Sequence, residues 1–441
     1  MDPKFAERIR GVLKTPGREV RGFDVDEAIP ALNGASDAEP GSREDDRHLE
    51  QTLRGQWRKG DGAQCFVVET RWDEASKHGA ESMATMASRL ADAVGDVPLV
   101  AGSGARPPFV FFDLETTGLS GGAGTYAFLV GCGWFDEAGG FVTRQYLLAT
   151  PSDEPGVLAS VAGELGRAGA LVSFNGKSFD APVLETRYLF HRLEWVGAGV
   201  PHLDMLHVAR RFWGKTPSLS SEADGSGCSL IALERQILGT PRHGDVPSFE
   251  IPSRYFHFVR TGDARPLGRV FEHNRLDLLS LAALTSRMLH LVRRGPRYAR
   301  DAREALALGH VYSRAGLEGR ALDAYRWAVD LGGHDTGSRV HLEALRALAL
   351  ALRRSRRYQD AAGCWQRILD VRDCPPHVAR EASEALAIHH EHRIRDFWTA
   401  KAFALRGLQH GAQPAWAEAV RHRVARIEKK MSGASGLLNL E

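Results

Sequence analysis

The sequence predicts a mixed α/β sheet flanked by helices, followed by an all-α helical-repeat domain. Two observations predict it. From residue 107 to about 290, short apolar runs alternate with segments of helical apolar spacing, and beyond about 300 the chain is Ala/Leu-rich with no strand signal.

In the first region PFVFFDLE is a buried strand, and AFLVGCGWFD and FVTRQYLLA are two more, separated by the turn-like EAGG. VLASVAGELGRAG has helical spacing, ALVSFNG is a further strand ending in an Asn-Gly turn, and FDAPVLETRYLFHRL returns to helix. Three strands in succession, then strand and helix in alternation, make a mixed sheet. Residues 1–100 read as an N-terminal extension packed on this domain. Within it, 31–47 is rich in Gly, Ser, Pro and acids and is expected to be a disordered linker or loop, whereas AQCFVVETRW at 63–72 is a short β segment. The sheet domain is drawn at 101–295, the helical repeats at 296–430 and a flexible tail at 431–441.

Internal repetition decides the class of the helical part. Leu308, Gly309 and Tyr312, then Ala321, Tyr325 and Ala328, occupy the spacings of a tetratricopeptide (TPR) repeat, in which small residues let two helices approach and aromatics fill the groove. Leu348, Ala349 and Leu352 before Ala361, Trp365 and Ile368 form a second unit, with the extra length in the GGHDTG loop. A degenerate third runs from Ala385 to Leu408.

At 441 residues the chain suits two or three domains, and its 43% hydrophobic and 25% charged content is that of soluble globular protein. The five cysteines are scattered and never spaced C-x-x-C, which argues against a disulfide framework and a zinc knuckle. No stretch reaches the roughly 20 apolar residues that span a bilayer, so a cytoplasmic, non-membrane protein is expected. Net charge is only +2, yet Arg287 to Arg357 holds 15 Arg and 7 acids. That segment reads either as a track for a phosphate backbone or as an Arg-rich solvated helix face.

The chemistry lies in carboxylates. In Phe112-Asp113-Leu114-Glu115-Thr116-Thr117-Gly118, residues two apart on a strand share a face, so Asp113 and Glu115 project together and Leu114 points into the opposite layer. Two such acids repel unless a cation lies between them, and all-oxygen ligation favours Mg²⁺ or Mn²⁺. A bare D-x-E pair is more often two acids leaving a strand into water. Thr116, Thr117 and Gly118 shift that balance.

Asp-Leu-Glu-Thr-Thr-Gly resembles the first motif of the DnaQ-like, DEDD exonuclease superfamily. Phe174-Asn175-Gly176-Lys177-Ser178-Phe179-Asp180 resembles the second, and Glu272-His273-Asn274-Arg275-Leu276-Asp277 the third, in the family's order. The order of strands and helices is likewise ribonuclease H-like. The resemblance implies Asp113, Glu115, Asp180 and Asp277 as ligands of two metal ions and His273 as the group that orients or deprotonates water. Asp113 would bridge both ions, Glu115 and Asp277 would complete one, and Asp180 would hold the other through water. His273 stands four residues before Asp277, so one helix presents both to the same water. This spacing is that of the Tyr-bearing branch, whereas the His-bearing branch has one residue more.

From Phe109 to Leu284 the sequence is similar to YprB-like ribonuclease H-like proteins of bacteria, which also carry a TPR-like C-terminus. The similarity rests on the three motifs, HLDMLHVARRFW, CSLIALERQILGTPRHGDVP and HNRLDLLSL. Thr116, Thr117, Asn175 and Lys177 are candidate substrate contacts, with a solvated turn an equal reading for Lys177. Asp204 is assigned either a supporting role behind the metal ligands or a structural one, since no fifth carboxylate is needed. Arg210, Arg211, Trp213 and Lys215 either hold a nucleotide or end a helix on a packed Trp, and the second is favoured. The polar insert at 214–227 reads as mobile.

The expected function is therefore a metal-dependent nuclease on DNA or RNA, a 3′ to 5′ exonuclease at single-stranded ends by family analogy. The alternative is a catalytically weak or inactive nucleic-acid-binding scaffold that recruits protein partners through its TPR-like repeats. Retention of all four acids argues against the alternative, because a binding surface gains nothing from carboxylates facing phosphate.

Overall fold

The computed structural model describes residues 43–60, 63–118, 124–214, 228–334, 339–372, 374–409 and 414–438. Most of the stretch read as a linker, 31–42, lies outside these residues, as do 215–227 of the polar insert and 439–441 of the tail. The chain divides into two units, residues 1–293 and 294–441.

The first unit is built on one seven-stranded sheet. After helix α1 (Arg43–Leu53) come β1 (Gln56–Gly60) and β2 (Ala63–Trp72), helix α2 (Met83–Ala91), then β3 (Phe109–Thr116), β4 (Ala127–Phe135) and β5 (Phe141–Leu147). Helix α3 (Glu154–Leu165), β6 (Ala170–Ser173), α4 (Asp180–Phe190), β7 (His202–Asp204) and α5 (Met205–Phe212) follow, and α6 (Ile251–Thr261) and α7 (Leu267–Arg294) complete the unit. The sheet order is β1-β2-β5-β4-β3-β6-β7. Pairing is antiparallel as far as β3, and parallel from β3 to β6 and from β6 to β7. The mixed sheet read from the sequence is thus present. Residues 56–72, read as part of an extension, form its first two strands: Phe66 to Trp72 pair with Leu147 to Phe141.

Alternation along β3 splits the core into two layers. Val110, Phe112 and Leu114 pack with Val161 and Leu165 of α3 and Leu184 of α4. On the other sheet face, Phe66, Val68 and Leu147 pack with Tyr255 of α6 and Val270 and Phe271 of α7. Each fully buried large aliphatic or aromatic side chain contributes about 1.5–3 kcal/mol. Burial of both faces explains why the central strands read as continuous apolar runs.

The second unit is helical: α8 (Ala302–Arg314), α9 (Glu318–Leu331), α10 (Arg339–Arg354), α11 (Tyr358–Leu369), α12 (Pro376–His389), α13 (Phe397–Gln409) and α14 (Pro414–Leu438). Leu308, Tyr312, Ala321, Tyr325 and Ala328 are buried, as are Leu348, Ala349, Leu352, Ala361, Trp365 and Ile368. The repeated apolar positions are therefore the contact faces of successive helical hairpins. Residues 431–438, read as part of a flexible tail, continue α14.

Candidate active site

Asp113 and Glu115 lie on β3 on the face opposite Leu114, as strand alternation requires. A shift in the β3–β4 register between Glu115 and Thr116 ends the regular ladder at the site, as bulges beside functional groups often do. Thr117 Oγ1 accepts from Tyr126 N at 3.0 Å and Thr116 Oγ1 donates to Gly118 O at 2.9 Å. Both hydroxyls thus fasten the strand end, and both residues are buried.

Asp180 sits in the first turn of α4, beyond a turn in which Asn175 takes a left-handed backbone with φ of 68°. Asp204 fixes that turn: its Oδ1 accepts from Asn175 N at 2.8 Å and its Oδ2 from Lys177 N at 3.2 Å. Oδ1 also caps α5 through Leu206 N at 3.0 Å. Its role is therefore structural, and it is buried. The side chains of Asn175 and Lys177 are left exposed. A Cβ placed on Gly176 would come within 2.8 Å of Asp180 Oδ2, which locates this carboxylate beside the turn. Lys215 lies outside the described residues, and Trp213 is only 6% exposed, so its ring is packed rather than offered to a base.

His273 and Asp277 stand one turn apart on α7, with His273 Nε2 3.5 Å from Asp277 Oδ2. His273 Nδ1 donates to Asp245 Oδ1 at 2.7 Å, which fixes the ring and turns Nε2 toward Asp277. Between them Asn274 bridges the sheet and the helix. Its Nδ2 donates to Asp113 Oδ2 at 2.8 Å and to Asp113 O at 3.2 Å, while its Oδ1 accepts from Gln145 Nε2 at 2.9 Å. Gly131, the β4 residue paired with both Asp113 and Gln145, makes this possible. A Cβ there would lie 2.2 Å from Asn274 Oδ1.

Arg242 is the group that sequence reasoning missed. Its guanidinium pairs with Glu234 and with Asp277, and it reaches Asp245 Oδ2 at 3.1 Å. Only 5% of its side chain is exposed. The segment PRHGDVP carries a family likeness, but nothing local in it shows that Arg242 and Asp245 meet a helix about 30 residues on.

The acids share one electrostatic neighbourhood. Burial first, then the charges of Asp277 and Asp180, push the Asp113 carboxyl well above the usual range. Glu115 is raised by burial and then by Asp113, Asp277 and Asp180. Burial, Asp204 and Asp277 push Asp180 up to about 7. His273 is opposed by burial, but Asp277 and Asp245 together raise it above 6.5. Arg242 answers only one of the four acids, so the excess negative charge calls for a further cation. Among the described residues no group of three or more His, Cys, Asp or Glu already stands in a metal-holding arrangement, and Asp277 is engaged by Arg242. The donors nevertheless suit a hard divalent ion, being four carboxylates rather than thiols or imidazoles.

The mixed seven-stranded sheet with flanking helices is the ribonuclease H-like fold class. A family model of the RNase_H superfamily, RNase_H_2, matches residues 110–289. That class is one of nucleases and nucleic-acid-binding domains, and its nucleases generally use divalent metals. The chain is also similar to the "Uncharacterized protein YprB" of Bacillus subtilis (strain 168), 28% identical over 378 residues, which cover 83% of this chain and 86% of that protein. Among the described residues no helix is long and apolar enough to cross a membrane.

Proposed function

We propose that the protein is a divalent-metal-dependent nuclease that hydrolyses phosphodiester bonds of DNA or RNA, acting 3′ to 5′ at single-stranded ends. The observation that carries this reading is the meeting of the three motifs: Asn274 of α7 bonds the Asp113 carboxylate of β3, and Asp113, Glu115 and Asp180 are each pushed up by burial and by acidic neighbours that include Asp277. Such crowding is costly for a protein that only binds an anionic polymer, and useful to one that must hold cations against it.

Asp113, Glu115, Asp180 and Asp277 would hold two Mg²⁺ or Mn²⁺ ions. When bound, such a pair neutralises charge on the attacking and leaving oxygens of an in-line displacement. The chain's own groups do the rest. Asn274 sets the Asp113 carboxylate through its bond to Oδ2. His273 Nε2, with the opposite nitrogen held by Asp245, is turned toward Asp277 and takes the proton of the attacking water. Asn175 and Lys177, exposed on the turn before Asp180, are the substrate contacts expected to reach phosphate, while Thr116 and Thr117 hold the strand end beneath it.

A nucleic-acid-binding scaffold without catalysis is the second reading, and one observation favours it: Arg242 occupies Asp277, a position an ion would need. A single experiment separates the two. Purified protein and Asp113→Asn are incubated with 5′-labelled DNA and RNA oligonucleotides in Mg²⁺, in Mn²⁺ or in chelator. The nuclease reading expects metal-dependent cleavage that the substitution removes, with a stepwise ladder marking exonuclease action. Equal background in both proteins would sink it.

A further inference from the structure

The helical unit contains three hairpins whose turns correspond residue by residue. At the head of each second helix an N–H bonds the carbonyl four residues back: Ala321 to Leu317, Ala361 to Arg357 and Ala400 to Asp396, at 2.9, 3.0 and 3.0 Å. The residue before each of those carbonyls has a left-handed backbone: Gly316 at φ 72°, Arg356 at 59° and Arg395 at 62°. The first two turns agree further, with Leu317 N to Tyr312 O and Arg357 N to Leu352 O both at 2.9 Å.

The backbone here asks for glycine, and the first turn supplies it. The second and third turns carry arginine, whose Cβ meets a steric penalty in this conformation. Arg54 and Arg192 of the first unit take the same backbone, so what sets Arg356 and Arg395 apart is where the two turns place their side chains.

The surroundings indicate what that side chain meets. Arg353, Arg356, Arg357, Arg393 and Arg395 are all exposed. Arg357 pairs with Asp360, but the other four have no ion-pair partner among the described residues. Arg356, Arg357, Tyr358, His389 and Arg393 line a cavity of about 370 Å³ between the second and third turns. Arg393 lies 3.8 Å from the centroid of the Tyr358 ring, and Trp398, just past Arg395, is 76% exposed. Residues 294–441 carry 25 Lys and Arg against 17 Asp and Glu, while residues 1–293 carry 32 against 38.

We propose that this arginine-lined edge of the helical unit binds the phosphate backbone of single-stranded nucleic acid, with Trp398 offering a ring face to its bases and the stacked Arg393–Tyr358 pair lining the cavity beside it. Guanidinium groups without an ion-pair partner beside the exposed Trp398 indole and the half-buried Tyr358 ring suit a chain of alternating phosphates and π-faces, whereas an acidic peptide would use the charge and leave the rings unmatched. The proposal rests on nucleic acid being the protein's ligand, and it gives the helical hairpins a direct part in holding it.

The test uses full-length protein carrying Asp113→Asn, so that the probe survives. Fluorescein-labelled oligo(dT) and oligo(U) of about 20 nucleotides are titrated at several salt concentrations, with and without Arg356→Gly/Arg395→Gly. Glycine is the residue of the first turn, so the double variant should melt no lower than its parent, and lost binding is then not lost folding. Arg393→Gln, outside the strained positions, serves as a second variant. The expected result is about tenfold weaker binding, with the slope of log K against log salt smaller by about 1.4, as two phosphate contacts at ~0.7 each require. Folded variants with unchanged affinity and slope would overturn the proposal. So would polyglutamate that binds as tightly as the oligonucleotides and is lost in the same variants, a result that favours an acidic protein partner. Binding lost with the arginines in a protein that never cleaves would uphold the surface and refute only the nuclease.

Discussion

The metal-free protein should be stabilised by removing one of its own site residues, and Asp180→Asn isolates the effect. Asp180 is 5% exposed, and its carboxyl is pushed up to about 7 from the ordinary 3.8. The folded protein therefore holds this proton more tightly than the unfolded chain does. Its stabilising effect is complete below about pH 3.8 and is lost as the pH rises through about 7. Three pH units at ~1.36 kcal/mol each set a full difference of about 4 kcal/mol above that window. Asparagine keeps the shape of the protonated acid and cannot ionise, so the variant escapes the loss. Urea unfolding in chelator at about pH 8 should show Asp180→Asn more stable by about 2–4 kcal/mol, and the gap should close toward pH 4. Mg²⁺ or Mn²⁺ should narrow the gap at pH 8 by stabilising the parent alone, since an ion that binds only the native state adds to its stability. A variant no more stable than its parent at pH 8 without metal would refute the view that these acids are crowded at the expense of the fold.

Arg242→Met should act in the opposite direction. It leaves Glu234, whose side chain is 1% exposed, charged and unpaired, a loss of about 3–5 kcal/mol in urea unfolding that Arg242→Met/Glu234→Met should largely recover. His273→Gln should lower cleavage about 10²- to 10⁴-fold. Because Asp277 and Asp245 raise the His273 pKa, parental cleavage should fall as the pH drops through a value above 6.5, and this acid limb should vanish in the variant. A limb that survives the substitution would assign the titration to another group.

How much of this was legible depended on the range over which each feature is encoded. The projection of Asp113 and Glu115 to one side follows from strand alternation alone, and the pairing of His273 with Asp277 from helical spacing, so both could be read within five residues. The place of residues 56–72 could not. AQCFVVETRW announces a strand, but whether it packs beside the sheet or joins it depends on β5, more than seventy residues on. Asn274 lay within the quoted third motif, yet its bond to Asp113 spans 161 residues and needs an unsubstituted backbone at Gly131 to pass. Arg356 fell within the Arg-rich segment read as a candidate phosphate track, but its backbone and that of Arg395 were not legible: a left-handed conformation is a property of the folded hairpin, and arginine is not a residue that advertises it.

The sequence by itself determined which residues bear charge, which runs must be buried, and the local geometry that sets acids on a strand and on helix turns, because these follow from composition and short periods. Tertiary structure decided what each acid faces: Asn274 for Asp113, the turn held by Asp204 for Asp180, and Arg242 for Asp277. Those partners come from distant parts of the chain and meet only through strand register and helix docking. Local pattern therefore names the carboxylates, while packing sets the electrostatic field in which they act.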